Sequence, residues 1–174
     1  VLRDAIMNGV PNTAMPQWQH MFSKDDADGM VDWLMDWKDN TNFKLNLEEI
    51  KGTWTKLADR DELAKKYPNS VDTKSVLDIT FATERDASLV DFIDSTTGKV
   101  LSRHKAGFAV HVTVTNKKNP RYAYSISRSG RLTMFDIAAP GQPAIASVQV
   151  GFESRGLAVS PDGKYVIAGN YTPG

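Results

Sequence analysis

The chain has 174 residues, 41% hydrophobic and 24% charged, with Lys+Arg 21 balanced by Asp+Glu 21. That length suits one or two domains with a real core, and the composition excludes a disordered or collagen-like chain. No cysteine occurs, which excludes disulfides, iron–sulfur clusters, zinc fingers, thiol catalysis and thioether attachment of a cofactor within these residues. Apolar stretches such as Phe108–His111 fall far short of the roughly 20 residues of a membrane span. Val1-Leu2-Arg3-Asp4 lacks the apolar core of a secretory leader, so a mature or truncated start is expected. Zero net charge and the lack of a binding motif disfavour nucleic acid as a partner.

Residues 1–39 read as helical. Ser23-Lys-Asp-Asp26 has the form of a capping box. Met30, Leu34 and Trp37 follow at helical spacing, with Ala27 and Val31 widening the stripe. Acidic residues from Asp25 to Asp39 crowd this segment, and those at its front suit the helix dipole. Before it, an irregular loop carries Met15-Pro16, where the proline biases Met15 toward an extended backbone and holds its thioether outward. Such a methionine either plugs an apolar gap or offers a soft ligand. Residues 40–80 read as a connector with short helical turns at 48–54 and 59–66 and no evident chemistry.

From residue 81 to 174 the period changes. Residues 87–94 are strand-like, and Val110–Thr115 alternates apolar with polar. Phe92-Ile-Asp94 recurs as Met134-Phe-Asp136, Gly107 as Gly151, and Arg121-Tyr122 as Lys164-Tyr165, each after 42 to 44 residues. That is the period of a β-propeller blade, whereas a sandwich has no reason to repeat at this spacing. His111 and Arg155 each lie four residues after the repeated glycine, so they hold equivalent places in successive repeats. If these are innermost strands, both side chains face one axial cavity. An imidazole there can ligate a metal or simply hydrogen-bond, and a guanidinium can clamp a carboxylate. Residues 95–135 contain no carboxylate but carry Lys99, Arg103, Lys105, Lys117, Lys118, Arg121, Arg128 and Arg131, either solvated loops or a field for an anion.

Several segments in order resemble the cytochrome cd1 family, the haem c plus haem d1 nitrite reductases and their paralogues. Asn8-Gly9 through Met15-Pro16-Gln-Trp18 is similar to the end of its cytochrome c domain, and Ile50-Lys-Gly-Thr-Trp54 to its linker. Arg85–Asp94 resembles its first d1-domain strand, and Gly107-Phe-Ala-Val-His111 its iron-ligating segment. Residues 127–130, 150–155 and 168–173 resemble further pocket segments.

The resemblance implies an α+β chain in two parts: the C-terminal part of an all-α cytochrome c domain, then the first blades of a d1-type propeller, eight-bladed when complete. Residues 1–39, 40–80 and 81–174 would be the cytochrome c part, the linker and about two blades of an internal fragment of a longer protein. It implies Met15 as sulfur ligand of haem c iron and His111 as proximal ligand of haem d1 iron. Arg85, Arg128 and Arg155 would pair with the macrocycle's carboxylates, with Tyr171 at its rim. The attachment cysteines of haem c and the distal histidines that supply protons would lie outside these residues.

By the same resemblance the chain is a periplasmic oxidoreductase of denitrification, passing electrons from haem c to d1 and reducing nitrite to nitric oxide. A small electron-donor protein and a homodimer are implied partners. Three positions depart from the reductase pattern: Val114 where an arginine follows the proximal histidine, Ser129 where an aspartate is usual, and Tyr171-Thr-Pro-Gly174 for Tyr-Trp-Pro-Pro. They resemble the paralogues, one of which oxidises dihydro-haem d1 and takes a d1 precursor as substrate. A non-catalytic propeller scaffold is the reading from a different class.

Overall fold

A computed structural model of the chain describes residues 2–36 and 46–172. It divides into two units, residues 1–43 and 44–174. In the first, α1 (Leu2–Asn8) and α2 (Lys24–Asp36) pack together. The expected cap forms: Ser23 Oγ accepts from Asp26 N–H at 3.1 Å, and Asp26 Oδ2 accepts from Ser23 N–H at 2.9 Å. The Ser23 hydroxyl also donates to Asp26 Oδ2 at 2.7 Å, and this bond, followed by the one from Ser23 N–H, holds the Asp26 carboxyl below its ordinary value. Only part of the expected stripe turns inward. Ala27 is buried and Met30 and Val31 are half-buried, but Leu34 is exposed; Trp37 lies outside the described residues.

The second unit begins with α3 (Leu47–Gly52), β1 (Thr55–Lys56) and α4 (Arg60–Lys66), followed by a 3-10 turn at Val76–Asp78. Asn46 and Asp59 cap the two helices through their side chains, which fixes where each begins. Antiparallel strands then follow: β2 (Ile79–Glu84), β3 (Leu89–Asp94), β4 (Val100–Lys105), β5 (Val110–Thr115), β6 (Tyr122–Ser127), β7 (Arg131–Asp136), β8 (Ala144–Gln149), β9 (Phe152–Val159) and β10 (Val166–Thr172). They form sheets in the orders β2-β3-β4, β1-β8-β7-β6-β5 and β10-β9. The repeat seen in the sequence maps β2, β3 and β4 onto β6, β7 and β8, and β5 and β6 onto β9 and β10. Sheets that are successive antiparallel meanders at this period are consistent with part of a propeller.

The segment read as a mere connector does more than connect. Thr55 and Lys56 add a fifth strand beside Ser147 and Ala146 at the outer edge of β8. Leu57 N–H then donates to Ile145 O at 2.9 Å, and Thr53 Oγ1 accepts from Gln149 N–H at 2.9 Å. An edge strand left open would offer its amides to another chain, and this segment covers that edge of β8.

The core lies between the first two sheets. Phe92 and Phe135, both fully buried, meet edge to face at 5.2 Å amid Ile79, Val90, Ala106, Val110, Ala123 and Ile137. Burying each ring stabilises the fold by roughly 1.5–3 kcal/mol. His104 packs edge-on against Phe92 and tilted against Phe135, and its Nε2 lies 2.8 Å from Gly141 O, so the β2-β3-β4 sheet meets the β7–β8 turn through a polar contact. Ser102 Oγ donates to the buried Gln142 Oε1 at 2.6 Å, and Gln142 Nε2 donates to Asp72.

The positive charge of the acid-free stretch is partly neutralised by the fold. Two of its arginines find carboxylates on other strands: Arg103 reaches Glu84 at 2.6 Å and Asp91 at 2.7 Å, and Arg121 reaches Asp136 at 2.8 Å. The Arg103 guanidinium holds the buried Asp91 carboxyl below the usual range. Sequence separation concealed these pairs; strand register creates them.

Candidate functional site

Residues on four turns converge at one end of β5 and β9. Ser88, in the turn after Arg85, accepts from Ala109 N–H at 3.1 Å through its Oγ. Ala109 O accepts from Arg128 N–H at 3.0 Å, and Arg128 O accepts from Ser154 N–H at 3.3 Å. This lacing draws together the segments that carry Arg85, His111, Arg128 and Arg155. At the other end of β5, Asn116 Nδ2 donates to Ser160 O at 2.7 Å, fixing β5 against the β9–β10 hairpin. β5 and β9 lie side by side, with β2 also against β5.

His111 and Arg155 occupy the same local backbone feature. On β5, Val110 pairs with Ser127 and Val112 with Ile126, leaving His111 as the extra residue of a bulge. On β9, Ser154 pairs with Asn170 and Gly156 with Gly169, leaving Arg155 in the same position. Two residues before each, Ala109 and Glu153 take left-handed backbone at φ 51° and 49°. Non-glycine residues rarely adopt that conformation, and bulges re-aim side chains, so the twin features are built rather than incidental. Both side chains are exposed.

The His111 imidazole makes no hydrogen bond among the described residues. No group of three or more His, Asp or Glu among the described residues could hold a metal ion. A lone imidazole does not build a metal centre from protein alone, but it fits an iron whose other ligands arrive with it. Arg155 lies over the ring of Tyr171 at 5.0 Å, and the two border a shallow pocket of about 240 Å³ with Gly156, Gly169 and Asn170. Arg85 is exposed and forms no ion pair among the described residues. Phe108, 72% exposed, stands in the turn just before His111.

Arg128 is differently placed from the other two arginines. Its Nη2 and Nε lie 2.5 and 3.2 Å from Glu153 Oε2. This contact holds the Glu153 carboxyl below its ordinary value, with the charges of Arg155 and Arg85 acting in the same direction. The anionic member of the cluster is what sequence reasoning missed. The signal was available: Glu153 stands where the previous repeat has Ala109, a charge substituted into a position the repeat otherwise leaves small.

In the first unit, Met15 sits in a loop closed on Gly9. Met15 O accepts from Val10 N–H at 3.1 Å, and Thr13 Oγ1 accepts from Met15 N–H at 3.2 Å. Gly9 has φ 72°, and a Cβ there would lie 2.8 Å from Met15 O, so the loop needs glycine. The Met15 residue is 38% exposed rather than plugging a core. Pro173 and Gly174 lie outside the described residues.

Comparison with known proteins agrees with this arrangement. The sequence profile "Cytochrome D1 heme domain" matches residues 74–174. The chain is 28% identical over 134 residues to the nitrite reductase of Stutzerimonas stutzeri, covering 75% of this chain and 23% of that protein. It is 26% identical over 172 residues to the dihydro-heme d1 dehydrogenase of Pseudomonas aeruginosa, covering 99% of this chain and 34% of that protein. A solved structure of dihydro-heme d1 dehydrogenase NirN in complex with DHE superposes with a TM-score of 0.74 at 25% identity, over 99% of this chain and 36% of that one. The chain thus spans between 23% and 36% of the length of these proteins. With the profile matched over more than half of its residues, including the laced turns and both bulges, the chain belongs to the cytochrome d1 haem domain family.

Proposed function

We propose that this chain forms part of a d1-type haem oxidoreductase of the dihydro-haem d1 dehydrogenase kind. The observation that carries this reading is the pair of matched bulges, which present an unpartnered imidazole and a guanidinium from neighbouring strands. A tetrapyrrole with an iron and several carboxylates has the complementary chemistry. The dehydrogenase kind is favoured because the similarity to that relative extends over nearly the whole chain, and because Val114 stands where the reductase pattern has an arginine.

His111 would ligate the iron, while Arg85 and Arg155 would pair with carboxylates of the macrocycle. Tyr171, stacked under Arg155, would limit that side chain's rotamers and so keep its fork aimed. Met15 would hold haem c iron through sulfur, and haem c supplies one-electron exchange when bound. Removing two hydrogens from a dihydro substrate releases two electrons and two protons, so the complete protein needs an electron acceptor. Among the described residues, no helix is long and apolar enough to cross a membrane. The periplasm is the compartment this reading implies.

Nitrite reduction to nitric oxide is the second reading, supported by the similarity to the Stutzerimonas enzyme. Anaerobic incubation of the complete protein with dihydro-haem d1 and an electron acceptor separates the two. The expected result is conversion of its absorption spectrum to that of haem d1, with no rapid nitric oxide from nitrite when a reductant is supplied. Fast nitric oxide formation without that conversion would reverse the assignment.

A further inference from the structure

We propose that Glu153 selects ligands by charge: its carboxylate occupies one arginine of the cluster and excludes an additional ligand carboxylate from that position. This rests on the reading of the site as a binder of d1-type macrocycles.

The three arginines are not equivalent. Arg128 is engaged through two nitrogens by Glu153 Oε2, whereas Arg85 and Arg155 form no ion pair among the described residues. The latter two are left for the ligand, and the exposed Glu153 places a fixed negative charge beside them. A carboxylate arriving at Arg128 must displace Glu153 or sit next to it, and like charges at such range are strongly disfavoured. A neutral substituent meets no such barrier.

The fold itself does not require this carboxylate. Ala109 takes the same left-handed backbone two residues before its own bulge, without any acidic side chain. Main-chain bonding at the Arg128 turn is likewise independent of it, since Arg128 meets Ala109 and Ser154 through its own N–H and carbonyl. The charge is therefore surplus to the local structure, and its effect falls on whatever approaches the arginines.

Two iron porphyrins that differ in charge serve as probes: iron coproporphyrin, with four carboxylates, and iron uroporphyrin, with eight. Absorption titration of the apoprotein at fixed ionic strength gives both affinities. Wild type should prefer the tetracarboxylate, and Glu153→Gln should reduce that preference about tenfold, mainly by tightening the octacarboxylate. Glu153→Ala, which installs the residue the previous repeat already carries, should do the same. A preference unchanged within twofold in both variants would overturn the proposal, as would equal weakening of both porphyrins, the mark of a merely structural ion pair. Failure of wild type to bind either porphyrin would instead overturn the underlying reading of the site, and this proposal with it.

Discussion

Gly130→Ala is expected to lower stability by about 3 kcal/mol or more, the range in which forced backbone displacement falls. Gly130 has φ 83°, and a Cβ built on it falls on the carbonyl of Gly151. That neighbour cannot swing aside, because it is backbone. It is also tied in place: Val150 N–H donates to Gly130 O at 2.8 Å, and Gly151 O accepts from Gln149 Nε2 at 2.7 Å. The turn 128–130 must therefore move as a body and loosen Arg128 from Ala109, Ser154 and Glu153. Gly98→Ala is the matched control, with φ 71° and nothing within 4 Å of a built Cβ. It should cost only the left-handed penalty, about 1–2 kcal/mol. Urea unfolding of both variants checks the difference; equal midpoints would show that the contact between the two turns does not constrain the fold.

Arg121→Met should cost about 3–5 kcal/mol, because it strands a buried carboxylate. Asp136 is fully buried, and Arg121 is its ion-pair partner at 2.8 Å. The same guanidinium donates to Tyr67 O at 2.6 Å and Leu63 O at 3.2 Å, carbonyls at the C-terminal end of α4 where a cation is favoured. One side chain thus joins the start of β6 to β7 and α4. Adding Asp136→Asn should restore part of the loss, since the uncompensated charge is then gone, although the contacts to α4 stay broken. A double variant no more stable than Arg121→Met alone would mean that the buried charge is not the cause.

The repeat was legible because it depends on residues that the backbone demands at fixed intervals. Gly107 and Gly151 mark the turns before the two bulges, and Phe92-Ile-Asp94 and Met134-Phe-Asp136 mark equivalent strands. From that register the equivalence of His111 and Arg155 followed by counting. The strand at Thr55–Lys56 was not legible: two residues carry no period, and their partners lie 92 and 90 residues away. Arg121 and Lys164 share a repeat position, yet Arg121 meets Asp136 on β7 and the carbonyls of Leu63 and Tyr67 at the end of α4, while Lys164 remains largely exposed. Arg128 and Glu153 stand in separate segments of the sequence, and only the folded chain pairs them. Leu34 fitted a helical stripe, but periodicity gives a face and not what covers it.

Absorption titration of the apoprotein with haem d1, for wild type and His111→Ala, tests the central claim most directly. The predicted result is saturable binding by wild type with the signature of an axial imidazole, lost in His111→Ala and restored by added imidazole. An identical spectrum and affinity in the variant, or no binding by wild type, would contradict it.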